Sequence, residues 1–281
     1  MPASDQTTTA ADITEMVARA RQGDAAAIEG VLLTVAPSIN RFGLRMCKNV
    51  QDAEDVLQDT LINVTQHLRD FEGRSSLTSW VFALTRSACA RKRRGLKNQP
   101  TVSDERLAES QDPSPSPETR VADQEIASAL SVALDRLSEE HREVILLRDV
   151  EGLSAPDAAS AIGITVDALK SRLHRAREAL RAAFLPLLEP QREKVRTGCP
   201  EVVELWSKKL EGDLSQSDCS AMEKHIETCS QCGATCDALK RALLACQRAR
   251  TEEVPPEVQA RVKAAVRAWA VQSERPNPLA L

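Results

Sequence analysis

Tyrosine is absent from the 281 residues, and four phenylalanines with three tryptophans bring the aromatic share to only 2%. Strand-rich folds depend on aromatic and β-branched side chains to cover a pleated surface. Their scarcity here argues against a sandwich or barrel, and the abundance of alanine, leucine and arginine, all good helix formers, predicts an all-α chain. No apolar run approaches the roughly 20 residues of a membrane helix. The start, MPASDQTTTAAD, also lacks the basic-then-apolar order of a secretory signal. A cytoplasmic protein with no membrane partner is therefore expected. Cysteine is almost missing from the first two thirds, where only Cys47 and Cys89 occur and read as small core residues. The other six of the eight cysteines crowd into the last third. In a reducing compartment such a cluster signals metal ligands or redox thiols rather than structural disulfides.

The net charge of −4 suggests no nucleic-acid partner by itself, but the average hides patches. RSACARKRRGLK, residues 86–97, carries six cations and no acid, whereas residues 101–125 hold seven acids against two arginines. Composition separates three segments. The first spans 12–97 and the second 122–188, joined by an acidic, Pro/Ser-rich flexible linker over 98–121. The third, cysteine-rich, spans 195–272. In the first segment, QDAEDVLQDTLINVTQHLRDF predicts one helix whose Leu57, Leu61, Val64 and Leu68 form an apolar stripe. Asp52 is expected to cap it, and Asp55 and Asp59 lie on another face. An acidic face of this kind is, on its own, simply solvated. A turn-rich FEGRSSLTSW and a second helix that becomes strongly basic follow.

In the second segment, LSAPDAASAIGITVDALKSRLHRAREAL predicts a helix-turn-helix. Ser154 and Asp157 form a capping box, Gly163 supplies the turn and Thr165 caps the next helix. On that helix Leu169, Leu173, Ala176 and Leu180 face inward, leaving Lys170, Ser171, His174, Arg175 and Arg177 on other faces. A polar, basic outer face suits a major groove, although a helical hairpin with a solvated basic face would look the same.

Together these motifs resemble the extracytoplasmic-function (ECF) group of sigma-70-type transcription initiation factors. DAEDVLQDTLINV looks like the core-polymerase-binding helix of region 2, FEGRSSLTSWVFALTRSACARKRR like its promoter-melting part, and LSEEHREVILLRDVEGLSAPDAASAIGITVDALKSRLHRAREAL like region 4. The resemblance covers roughly residues 12–188 and implies a non-enzymatic protein whose partners are core RNA polymerase and promoter DNA. It implies polymerase contacts at Asp52, Glu54, Asp55 and Asp59. DNA contacts would come from Arg74, Ser75 and Ser76 in the loop, Arg86, Arg91, Lys92, Arg93 and Arg94 on the basic helix, and Lys170, Ser171, His174 and Arg175 on the recognition helix. Trp80 could stack on an opened strand or pack in the core. Ser87 and Arg91 depart from the asparagine and aspartate common in the group, which weakens any transfer of its promoter preference.

In the third segment His225, Cys229 and Cys232 follow a His-x3-Cys-x2-Cys spacing that one helix would bring together, and soft thiolates with an imidazole suit Zn²⁺ or Cd²⁺. GCPEVVELW through HIETCSQC resembles the zinc-binding anti-sigma domain, which implies Cys199 as the fourth ligand. Cys219, Cys236 and Cys246 exceed what a closed four-ligand site needs and stand as candidate extra ligands. The layout is similar to the CorE-like sigma factors that sense zinc, cadmium or copper through a fused cysteine-rich domain, and implies that no separate anti-sigma factor is needed. VPPEVQARVKAAVRAWAV predicts a last helix whose stripe of Val258, Val262, Ala265, Val266 and Trp269 could pack on the sigma segments. Two alternatives stay open. A thiol redox switch would use the same scaffold, with oxidation at Cys199 and Cys232 releasing zinc. A zinc enzyme would need an open position and a base, and only Glu223 or Glu227 stands near.

Overall fold

A computed structural model describes residues 10–47, 49–96, 117–188, 201–248 and 256–273. Among the described residues every regular element is helical. In chain order these are α1 (Ala10–Arg21), α2 (Ala25–Met46), α3 (Val50–His67) with a 3₁₀ turn over Leu68–Asp70, α4 (Leu77–Leu96) and α5 (Pro117–Asp135). There follow α6 (Glu139–Ile145), a π-helical turn over Leu146–Val150, α7 (Ala155–Ile162), α8 (Val166–Leu188), α9 (Val202–Leu210), α10 (Gln216–Thr228), α11 (Ser230–Arg248) and α12 (Pro256–Ser273). The chain forms two compact units, residues 1–102 with 253–281, and residues 103–252.

In the first unit the predicted stripe of α3 is buried: Leu57, Leu61, Val64 and Leu68 are at most 1% exposed. They share a core with Ile28, Val31, Leu32, Val35 and Ile39 of α2. The helix starts earlier than the sequence suggested. Asn49, not Asp52, is the N-cap, its side-chain oxygen accepting from the Asp52 N–H at 2.7 Å, because Asn49 holds the extended backbone that a cap requires. Trp80 packs at the edge of this core, 5.2 Å from Phe71 between ring centroids. Helix α12 belongs to this unit as well. Val258, Val262 and Ala265 are buried in the same apolar cluster as α2 and α3, each valine contributing about 1.5–3 kcal/mol. The sequence grouped this helix with the third segment, 195–272, while expecting its stripe to pack on the sigma segments, and it does so on α2 and α3. The side chain of Trp269 lies outside the described residues.

The second unit contains the helix-turn-helix with the expected devices. Ser154 accepts from the Asp157 N–H at 3.1 Å, Gly163 ends α7 at φ +80°, and Thr165 accepts from the Ala168 N–H at 3.2 Å. Leu169, Leu173, Ala176 and Leu180 are fully buried. Ser154→Ala is expected to lower the stability of this unit by about 1 kcal/mol, measured by urea unfolding, since one orphan N–H at the start of α7 loses its acceptor.

Segments two and three, read as separate bodies, are one here, because α9 and α11 pack on α8. Most of the linker read at 98–121 lies outside the described residues, but its last part, from Pro117, is already the start of α5. Proline suits that position because the first helical residue has no backbone partner to lose.

Candidate metal centre and the helix-turn-helix surface

His225, Cys229 and Cys232 converge, but not from one helix. Helix α10 ends at Thr228, Cys229 takes an extended backbone conformation, and α11 restarts at Ser230. The break is tied on both sides: the Cys229 N–H donates to the His225 carbonyl at 2.8 Å, and the Gly233 N–H donates to the Cys229 carbonyl at 2.9 Å. Gly233 permits the tight corner, since a Cβ there would sit 3.1 Å from the Ile226 carbonyl oxygen. The ligand atoms of the three residues lie within 4.8 Å of one another. Ligands about 2.0–2.3 Å from a tetrahedral ion are roughly 3.5 Å apart, so small side-chain rotations complete the geometry.

The polar accounting agrees with a metal. Nε2 of His225 is buried and has no hydrogen-bond partner, an arrangement that costs about 1–3 kcal/mol unless the nitrogen is ligated. Two thiols and an imidazole match zinc in donor type. Cys199 lies outside the described residues. Cys219 is half-buried on α10 with its Sγ 3.6 Å from Glu223 Oε1. Cys236 and Cys246 are fully buried on α11, and burial pushes the Cys236 thiol up to about 11. Among the described residues, none of these three thiols joins a metal-holding group of three.

The cysteine-rich helices meet the helix-turn-helix through charge. Lys170 on α8 pairs with Asp213 at 2.6 Å. Arg177, expected on an outer face, is only 2% exposed; its Nη2 reaches Asp149 at 2.6 Å and Glu211 at 3.0 Å, and its Nη1 donates to Ser207 Oγ at 2.9 Å. Burial disfavours this guanidinium, but the Asp149 and Glu211 charges outweigh it and hold its pKa above the ordinary value. Arg148 adds a second bond to Glu211 at 2.6 Å. Arg148 and Asp149 both stand on the π turn, an irregularity often found where side chains must be re-aimed. Glu211 and Asp213 carried no sequence signal beyond the turn EGD that they flank.

Of the other recognition-helix candidates, Ser171 and Arg175 are exposed and His174 is half-buried. In the first unit Asp52, Glu54, Asp55 and Asp59 are all half-buried. Asp52 accepts from Asn49 Nδ2 at 2.6 Å, Glu54 pairs with Arg261 of α12 at 2.5 Å, and Asp55 pairs with Lys92 at 2.5 Å, a hydrogen bond that raises the lysine pKa. Arg74 is 85% exposed beside Glu72, and Ser76 accepts from the Ser79 N–H at the start of α4. Ser75 is half-buried; Arg91 and Arg94 are exposed, and Arg86 and Arg93 half-buried.

Three families match the chain: Sigma-70 region 2 over residues 33–99, Sigma-70 region 4 over 127–180, and a zinc-finger family over 199–233. The RNA polymerase sigma-H factor of Pseudomonas aeruginosa is 30% identical over 182 residues, covering 62% of this chain and 94% of that protein. The ECF RNA polymerase sigma factor SigL of Mycobacterium tuberculosis is 33% identical over 179 residues, covering 60% and 97%. A solved structure of CnrH in complex with the cytosolic domain of CnrY is similar at a TM-score of 0.46 and 24% identity, covering 63% of this chain and 97% of that one. With both sigma regions in order and nearly the whole length of these sigma-factor relatives spanned, the chain belongs to the ECF family of RNA polymerase sigma factors, which are transcription initiation factors and not enzymes, and residues 199–233 are similar to a zinc-finger family.

Proposed function

We propose that this sigma factor is regulated by metal ions through its own cysteine-rich segment, without a separate anti-sigma factor. The observation that carries the reading is the ion pair between Lys170 and Asp213. A recognition-helix cation meant for DNA is neutralised by a carboxylate from the cysteine-rich segment. DNA must displace Asp213 before Lys170, Ser171, His174 and Arg175 can reach base edges and phosphates.

The same logic applies in the first unit. Asp52, Glu54, Asp55 and Asp59 form the polymerase-docking face, where complementary charge steers association. Helix α12 covers part of it: Val258 and Val262 are buried beside α2 and α3, and Arg261 neutralises Glu54. Arg74, Ser75 and Ser76 would face promoter bases, while Arg86, Arg91, Lys92, Arg93 and Arg94 would neutralise phosphates in a salt-dependent way.

Cys199, His225, Cys229 and Cys232 would hold the ion, with zinc or cadmium, and copper, as the candidates. When bound, the metal supplies a cross-link between the α10–α11 corner and the stretch that contains Cys199. His225 then gains a partner for its buried Nε2, and the corner that presents α9 and α11 to α8 becomes stiffer. Regulation requires that the ion favour one arrangement of the segment over the other.

The reading is tested with purified protein and core polymerase. Val262→Asp puts a charge into the seat of α12 and is expected to raise polymerase affinity by about tenfold, equivalent to ~1.4 kcal/mol. Truncation after Glu252 should do the same. Promoter transcription by the wild type should respond to zinc, cadmium or copper and not to diamide. Equal polymerase affinity for all three proteins, or a response to diamide alone, would reject the proposal.

A further inference from the structure

Two thiols in the first unit take no part in the reading above. Cys47 caps the C-terminal end of α2 and Cys89 lies within α4, and the fold brings these residues, 42 positions apart, to an Sγ–Sγ distance of 3.9 Å. They are 5% and 0% exposed. Their surroundings hold them in place. The Cys47 N–H donates to the Gly43 carbonyl at 2.8 Å. Gly43 in turn packs against α3, where a Cβ would lie 3.4 Å from the Ala53 carbonyl oxygen, in van der Waals contact. On α4, Lys92 is tied to Asp55 of α3 at 2.5 Å. The C-terminal end of α2, the first turns of α3 and the body of α4 thus meet near one sulfur pair.

Among the described residues nothing near the pair completes a metal site; the group that could hold a metal is the one at His225, Cys229 and Cys232. Two thiols in contact without further ligands have one characteristic reaction, two-electron oxidation to a disulfide, for which the sulfurs must approach by about 2 Å. Mere packing of two small apolar side chains is the competing explanation.

We propose that Cys47 and Cys89 form a reversible dithiol–disulfide pair, closed by hydrogen peroxide, that cross-links α2 to α4. Cys47 sulfur attacks one peroxide oxygen, the O–O bond breaks, and the departing hydroxide takes a proton to leave as water. Cys89 sulfur then attacks the sulfenic sulfur of Cys47; the S–S bond forms, the S–O bond breaks, and the Cys89 proton leaves with the second water. One peroxide is reduced to two waters as two thiols are oxidised to one disulfide. The order of events follows from position and charge. Cys47 stands at a helix end and retains slight exposure. Its pKa lies below the ordinary thiol value, first through the hydrogen bond it shares with Cys89 and then through Arg93 and Lys92, against the opposing effects of burial and Asp52.

The cross-link closes a loop that contains all of α3, so it removes freedom from the unfolded chain and fixes the start of the basic stretch against α2. The test uses the full-length, zinc-loaded protein. It is treated with dilute peroxide, alkylated under denaturing conditions, digested and mapped by mass spectrometry. Peptides joined through Cys47 and Cys89, two hydrogens lighter than the reduced pair and separated by dithiothreitol, are expected. The oxidised protein should melt about 5 °C or more above the reduced one. Cys89→Ala should abolish both effects and leave a dimedone-reactive Cys47. Recovery of both residues fully alkylated, at doses that already oxidise Cys229 and Cys232 in the wild-type chain, would overturn the proposal, as would linkage of either only to cysteines of the third segment.

Discussion

Arg177→Met is expected to lower the stability of the second unit by about 3–5 kcal/mol. The arginine is 2% exposed, and its partners Asp149 and Glu211 have side chains 9% and 4% exposed. Removing the cation leaves two carboxylates in a dry interface with only Arg148 beside Glu211, which costs far more than the attraction itself. Urea unfolding followed by circular dichroism measures the effect. Replacing all the charges at once separates the two contributions: Arg177→Met with Asp149→Leu and Glu211→Leu should recover much of the loss, because no group is then orphaned. A loss below about 1 kcal/mol for Arg177→Met would mean that water reaches the network and screens it.

Cys232→Ala is expected to weaken zinc binding by more than about 100-fold, the upper end of what even the outer partners of a ligand are worth. Competition against a chromophoric chelator gives the number. A second readout identifies the site through its unpaired nitrogen. In chelator, His225→Ala should not destabilise the protein, because it removes a buried nitrogen that has no partner there. With zinc present the same substitution should be strongly destabilising, since ligation free energy is folding free energy at such sites. Wild-type zinc affinity in Cys232→Ala, or the same His225→Ala penalty with and without zinc, would exclude these residues as ligands.

Local periodicity made much of the fold legible. The stripe of α3 and the Ser154, Gly163 and Thr165 devices of the helix-turn-helix depend on neighbours within one or two turns, and each stands in the structure where the spacing put it. The His-x3-Cys-x2-Cys spacing likewise pointed to three residues whose ligating atoms the structure brings together. A helix break at Cys229 and the small Gly233 make the convergence, however, rather than the continuous helix that the spacing implied. What stayed hidden was long-range. Arg177 read as a solvated cation because its partner Glu211 is 34 positions away and announces itself by no pattern. Helix α12 was grouped with the third segment by chain proximity; its stripe was expected to pack on the sigma segments and does, but which helices it meets, more than 200 positions earlier, was marked by no pattern. The cap at Asn49 was missed because Asp52, equally able to cap, stands three residues on.

The Lys92–Asp55 pair joins a cation read as phosphate-facing to an acid read as polymerase-facing. On those roles, the two macromolecular ligands compete with one internal bond. Whichever binds first must break that bond, and the other then finds its own residue already released. The pair is therefore a small thermodynamic coupler: promoter and polymerase each strengthen the other's hold, reciprocally, with no movement of the backbone. With side chains 32% and 45% exposed the coupling is at most about 1 kcal/mol, roughly fivefold in affinity, and it fades as salt rises.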